Sequence, residues 1–165
     1  MWPLLPIEGN VGAIGGRSVP YQFAGAILRN AADSASTNFS SIVVGWDTEI
    51  LDTDAAHSTV SNTSRITIPA AFDGKYGIFH ACIYLTSVAG TDESLGITFL
   101  KNSAAFDGIA RMILTCDQFA VIAHTVETPP VFLTTSDIFE ISVFCNDTAT
   151  VLEADYSTFS LMVIS

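Results

Sequence analysis

Apolar residues in this chain fall into short runs of strand length, and the longest, residues 76–85 (YGIFHACIYL), is apolar almost without interruption. Successive side chains of a strand point to opposite faces. Tyr76, Ile78, Cys82 and Tyr84 therefore share one face of this run, and Phe79, Ala81, Ile83 and Leu85 share the other. A strand apolar on both faces is covered on both: by a second sheet on one side and by something further on the other. In a chain of 165 residues that further cover is predicted to be another copy of the chain. Residues 64–102 around this run are the stretch that organises the rest.

The remaining pattern is also one of strands. Residues 41–46 (SIVVGW) form the first clear strand, and 47–54 (DTEILDTD) follow as an acidic loop or edge segment. Ile66 and Ile68 alternate into Pro69, which closes a strand or occupies an edge, and Asp73-Gly74 marks a turn. After the central run come a loop over 86–94, a strand over 95–101 and a turn at Asn102-Ser103. Strands at 111–116 and 119–125 are separated by Asp117-Gln118, and Thr128-Pro129-Pro130 marks a loop before 131–133. Over 138–145, Ile138, Glu140, Ser142 and Phe144 alternate with Phe139, Ile141, Val143 and Cys145. A turn at 146–149, a short element at Val151-Leu152 and a terminal strand over 156–164 complete the chain. Such runs recur roughly every 10–15 residues, and no stretch sustains a helical period, which is the signature of a sandwich or jelly roll.

Residues 1–35 read differently. Gly9, Gly12, Gly15, Gly16 and Gly25, with Pro3, Pro6 and Pro20, make a segment that cannot build its own core. It is either a flexible leader or an arm that orders against a neighbour. Trp2, Leu4, Leu5, Ile7, Tyr21 and Phe23 are too apolar for a solvated tail and favour the arm. The predicted organisation is an extended N-terminal arm over 1–35 and one globular domain over 36–165.

Composition sharpens this picture. Apolar residues make up 49% of the chain and charged residues only 14%, an excess of apolar surface that points to oligomerisation. No window reaches the roughly 18 uninterrupted apolar residues of a membrane helix. The net charge of −11, with six Lys and Arg in total, argues against nucleic acid and against an anionic membrane surface, both of which need clustered cations. Cys82, Cys116 and Cys145 are widely spaced, odd in number and without a CxxC pair, so neither a disulfide framework nor a zinc site is predicted. The start MWPLLPIEG lacks a basic region and is broken by prolines, unlike a signal peptide, so the sequons at Asn38, Asn62 and Asn146 carry little weight.

The sequence contains no nucleophile elbow, HExxH pair or phosphate loop, and no cofactor is predicted. Asp47, Glu49, Asp52 and Asp54 crowd together, and carboxylates at alternate positions can gather Ca²⁺. Their spacing departs from an EF-hand loop, and solvated edge charges that discourage sheet-to-sheet pairing are the simpler reading. His57, His80 and His124 lie far apart, and His80 sits on the central run, where three copies about a three-fold axis could bring it together. A satisfied core histidine is the simpler account. The aromatic and apolar set Tyr76, Ile78, Phe79, Tyr84, Phe99, Phe144 and Phe159 reads as core and subunit interface.

Several of these landmarks resemble, in order, the globular C1q-like domain of the wider tumour-necrosis-factor-like jelly-roll group. Ser64-Arg65-Ile66-Thr67-Ile68-Pro69 is similar to that family's "fTvP" segment, and Gly74-Lys75-Tyr76 to its "G-x-Y" strand start, with Ile78 where Phe is usual. Phe99-Leu100-Lys101-Asn102 resembles the "l-x-k-N-G" hairpin, with Ser103 in place of Gly. Residues 133–143 resemble "L-x-x-G-D-x-V-x-L-x-V", with Ser136 in place of Gly before Asp137. Residues 156–161 resemble the closing "stFsGfl", without its Gly. The resemblance covers about residues 40–165 and implies an all-β, ten-stranded jelly-roll sandwich that forms a homotrimer.

These expectations combine into a functional one. A free-standing acidic trimer with a short arm fits a bacteriophage virion structural protein, made in the host cytoplasm and placed on the virion surface. It would be a capsid decoration (cement) protein, not an enzyme, whose arm contacts the major capsid protein or other virion proteins. The alternative is the receptor- or glycan-binding head of a tail fibre or head fibre.

Overall fold

The apolar run at the centre of the sequence becomes the longest strand of the structure, Tyr76–Ser87, and four others pair with it. The structure, a computed structural model, describes residues 23–30, 42–87, 93–106, 112–116, 121–145, 150–152 and 156–164. In chain order the strands are β1 (Gly25–Arg29), β2 (Ile42–Val43), β3 (Thr48–Asp52) and β4 (Arg65–Thr67). A 3₁₀ turn (Ala70–Phe72) precedes β5 (Tyr76–Ser87), β6 (Glu93–Lys101), β7 (Ala104–Ala105), β8 (Met112–Cys116) and β9 (Val121–Glu127). The last are β10 (Val131–Phe132), β11 (Ile138–Cys145), β12 (Thr150–Leu152) and β13 (Thr158–Ile164).

They form two antiparallel sheets. In the seven-stranded sheet, β5 has β9 and β10 along one edge and β12 and β13 along the other, and β13 continues to β1 and then β3. In the six-stranded sheet, β11 lies between β6 and the pair β2 and β4, while β7 and β8 share the far edge of β6. Among the described residues, the ten expected strands appear as thirteen segments, because several partners are broken in two. Side chains bridge two of the breaks. At Thr128, before Pro129-Pro130, the hydroxyl accepts the Phe79 N–H at 3.0 Å and the Thr128 N–H donates to Phe79 O at 2.9 Å. Ser157, fully buried between β12 and β13, accepts the Tyr84 N–H on its hydroxyl at 3.0 Å. Backbone groups of the central strand left without a strand partner are thus still paired, as buried polar groups must be.

The core lies between the sheets. Phe79, Ala81, Ile83 and Leu85 of β5 face Ile97 and Phe99 of β6 and Phe139, Ile141 and Val143 of β11, all buried. Phe79 and Phe139 stack at 4.0 Å between ring centroids, and Phe159 of β13 lies 5.8 Å from Trp46 and 6.3 Å from Phe99.

One boundary needs correcting. Gly25–Arg29, placed by the sequence reading in an arm over 1–35, is a strand between β13 and β3, with Ala26 and Leu28 fully buried. The sandwich therefore includes Gly25–Arg29, inside the stretch read as arm. β1 is only five residues long, between Gly25 and Arg29, and its partner β13 lies far away in sequence, so its local pattern is weak. The acidic segment 47–54 contains β3, an edge strand.

Two turns show what the Gly-to-Ser departures cost. Asn102 and Ser103 have φ of 52° and 65° and join β6 to β7, with Lys101 opposite Ala104. A two-residue hairpin with both central φ positive is the type I′ turn, whose favoured sequence is Asn-Gly. Ser136, at φ 71°, is likewise left-handed in the turn closed by the Asp137 N–H to Thr134 O bond of 3.0 Å. Ser103→Gly and Ser136→Gly are each expected to stabilise the domain by about 0.5–1 kcal/mol, read as a higher urea midpoint with unchanged slope.

Candidate functional site

Strand alternation places Tyr76, Ile78, His80, Cys82 and Tyr84 on the outer face of the seven-stranded sheet, away from the core. Register builds the surface around them. Tyr76 lies between Phe132 and Ile164, and Ile78 lies opposite Met162. Tyr76, Phe132, Met162 and Ile164 are 51%, 52%, 47% and 41% exposed, and Ile78 is half-buried. Tyr76 and Phe132 meet edge to face, with centroids 5.6 Å apart. One end of the sheet thus presents five neighbouring apolar side chains to the outside. Large contiguous apolar patches on soluble chains mark interaction surfaces.

Further along, the same face turns polar. His80 lies between Glu127 and Ser160, and Cys82 lies between Thr125 and Thr158. Burial pushes the Cys82 thiol above its ordinary range. Tyr84 packs on Tyr156 at 4.9 Å between ring centroids. The face therefore has an apolar end and a polar end.

The predicted interface and core residues separate into three groups. Phe79, Phe99 and Phe159 are wholly inside the sandwich. Tyr76, Ile78 and Tyr84 lie on the outer face just described. Phe144 belongs to neither: it alternates with Ile141 and Val143 of β11 and so lies on the outer face of the six-stranded sheet, half-buried over Gly96. It cannot share one flat interface with Tyr76, since the whole sandwich separates them. Phe132, Met162 and Ile164 were missed by the sequence reading. Their signal was present: β13 is apolar in both phases, Met162 and Ile164 alternating with Leu161 and Val163, as in β5. Of the arm residues, Phe23 is exposed next to β1, while Trp2, Leu4, Leu5, Ile7 and Tyr21 lie outside the described residues.

The four acidic candidates for Ca²⁺ each have a local partner. Asp52 accepts the N–H groups of Ala56 at 3.0 Å and His57 at 2.9 Å, and Glu49 meets the His57 ring at 3.0 Å. Asp47 accepts the Thr48 hydroxyl at 3.3 Å, and Asp54 accepts that of Thr53 at 2.7 Å. Among the described residues, no group of three or more His, Cys, Asp or Glu side chains is arranged to hold a metal.

The six-stranded sheet has its own charged staple. Lys101 Nζ lies 2.7 Å from Asp137 Oδ2 and 5.6 Å from the Phe139 ring centroid, and Asn102 Nδ2 donates to Asp137 Oδ1 at 3.0 Å. Burial alone would raise the Asp137 pKa. The hydrogen bonds from Lys101 and Asn102, the Lys101 charge and a backbone hydrogen bond at Thr134 outweigh it and hold the carboxyl below the ordinary range. A depressed folded pKa gives stability that is complete above the unfolded value, about 3.9, and lost as pH falls through the folded one. Asp137→Asn is therefore expected to flatten the acid limb of the stability-pH profile below about pH 4, read by urea unfolding.

No protein-family model and no curated protein matches this sequence. Solved structures do resemble the fold. Murine APRIL in its pH 5.0 crystal form matches with a TM-score of 0.53 at 8% identity, over 87% of this chain and all of that one. The globular domain of zebrafish complement 1qA protein matches with a TM-score of 0.50 at 9% identity, over 87% of this chain and 98% of that one. At these identities the likeness is one of fold: the chain is a C1q/TNF-like jelly roll.

Proposed function

We propose that the chain is a non-enzymatic, self-associating jelly-roll subunit, a homotrimer, held together through the outer face of its seven-stranded sheet. The observation that carries this is the apolar end of that face, where Tyr76, Ile78, Phe132, Met162 and Ile164 lie together in register on three adjacent strands. Burial of such area stabilises an assembly at about 25 cal/mol per Å² before the cost of association. The three-fold state is what the C1q-like resemblance of the sequence implies.

Within this reading, the narrower role we propose is capsid decoration on a bacteriophage virion, with the major capsid protein or another virion protein as partner. Its support is compositional: Trp2, Leu4, Leu5, Ile7 and Tyr21 stand in a glycine-rich segment that cannot bury them by itself. A fold alone fixes no such role. Light scattering on the full chain is expected to give the mass of three protomers, and a monomer at high concentration would sink the self-association reading. Removal of residues 1–22 is expected to leave that mass unchanged while abolishing co-sedimentation with capsids of the major capsid protein encoded alongside it. Co-sedimentation that survives the truncation overturns the anchoring role. Adhesion of the domain to host cells without capsid binding would instead favour a fibre head.

A further inference from the structure

The His57 ring is fully buried, and both of its nitrogens face oxygen atoms. Nδ1 lies 3.0 Å from Glu49 Oε1, and Nε2 lies 3.0 Å from the backbone oxygen of Thr63. A backbone carbonyl only accepts, and so does a carboxylate. A neutral imidazole has one N–H and one lone pair, so it serves one of these acceptors and sets its lone pair against the other. With Glu49 ionised, the ring satisfies both contacts only when both nitrogens carry hydrogen, as an imidazolium with Glu49 as its counter-ion.

We infer that His57 is a protonation-dependent latch joining the edge strand β3 to the 53–64 loop. The charged groups around it are Glu49 and Asp52 of β3 and Arg65 of β4, which lines the same small polar cavity of about 140 Å³. Asp54, on the loop itself, has its carboxylate on the Thr53 hydroxyl. The nearest of these charges is the Glu49 carboxylate. The ring also acts through its neighbours. Thr63 O takes the Trp46 N–H at 2.8 Å, and Ala56 O takes the Thr67 N–H at 2.7 Å, so the loop held by the latch ties β3 to the chain before it and to β4. Loss of the proton removes the ion pair and one ring hydrogen bond, leaving the loop held to β3 by the Asp52 carboxylate. A contribution made by a protonated histidine is present on the acid side and lost as pH rises. The edge strand carrying exposed Ile50 and Leu51 is thus pinned in acid and loosened in base. This inference does not depend on self-association.

The test is side-chain ¹⁵N NMR of the full chain across about pH 5 to 9, the range spanning histidine titration, with amide exchange followed at Ala56 and Thr67. Two protonated ring nitrogens are expected at the acid end. Their conversion to one should coincide with a loss of protection of roughly tenfold or more at both amides, the scale of a charge-assisted hydrogen bond. Glu49→Gln, which keeps an acceptor but removes the counter-ion, should shrink that loss, and His57→Gln should abolish its pH dependence. A singly protonated ring throughout, with the proton on Glu49 or absent, overturns the inference. So does the same pH course of protection in the native chain and Glu49→Gln, a comparison that holds even where His57→Gln fails to fold.

Discussion

Gly25→Ala is expected to cost on the order of 4 kcal/mol or more, enough to remove most or all of the folded protein. Gly25 opens β1 at φ +147°, a backbone conformation that side chains disfavour. An added Cβ would lie 1.9 Å from Leu161 O and 2.9 Å from Leu161 C. Both are backbone atoms of the adjoining strand, so no rotamer change relieves the clash. Relief would require β1 to move away from β13. That movement would strain the Val163 N–H to Ala24 O bond of 2.8 Å and the reciprocal bonds between Gly25 and Thr53. It would also withdraw Ala26 and Leu28 from the core. Gly45 is the matched control: its added Cβ would meet nothing closer than the Thr63 hydroxyl at 3.7 Å. Thermal melts of Gly25→Ala and Gly45→Ala should therefore differ by roughly 10 °C or more. Equal melting of the two would show that β1 tolerates separation from β13.

The same contrast shows what a sequence can and cannot display. β5 was legible because its signal is local: ten nearly continuous apolar positions fix a strand and both of its faces. Asn102-Ser103 was legible as a turn because Asn is a turn former, Ser136 only through the family motif it departs from, and both serines keep the left-handed backbone a glycine would favour. The missing Gly of the closing motif is accommodated differently. Leu161 is a buried strand residue, and its side chain fills the space over Gly77, where a Cβ would come 2.6 Å from Leu161 Cδ1. β1 was not legible because its meaning depends on β13 and β3, far away in the chain. Phe144 was grouped with Tyr76 and lies on the outer face of the other sheet, because alternation separates two faces without saying which one a second sheet covers. The contact between Glu49 and His57 has no signature in spacing: it exists because Asp52 folds the loop back by taking the Ala56 and His57 N–H groups.

That limit on reading faces makes a paired substitution the most informative test of the association surface. Phe159→Asp and Met162→Asp both place a carboxylate on β13, three residues apart and on opposite faces. Phe159 is fully buried among Trp46, Phe79 and Phe99, so the variant loses a core ring and gains an unpaired charge in an apolar interior. Loss of a buried aromatic alone costs about 3–5 kcal/mol, and the buried carboxylate adds several more, so this variant is expected not to fold at any concentration. Met162 is 47% exposed in the single chain, so aspartate there stays solvated in a monomer and leaves the melting of the isolated fold within a few degrees. In an assembly buried at the apolar end of this face, each copy would contribute one unpaired charge, weakening association on the order of a hundredfold or more. The expected result is a folded monomer from Met162→Asp and no folded protein from Phe159→Asp. Retention of the native mass by Met162→Asp would move the contact to another surface. The outer face of the six-stranded sheet, where Val43 and Phe144 lie near Thr98, would then be the next one to charge, through Phe144→Asp.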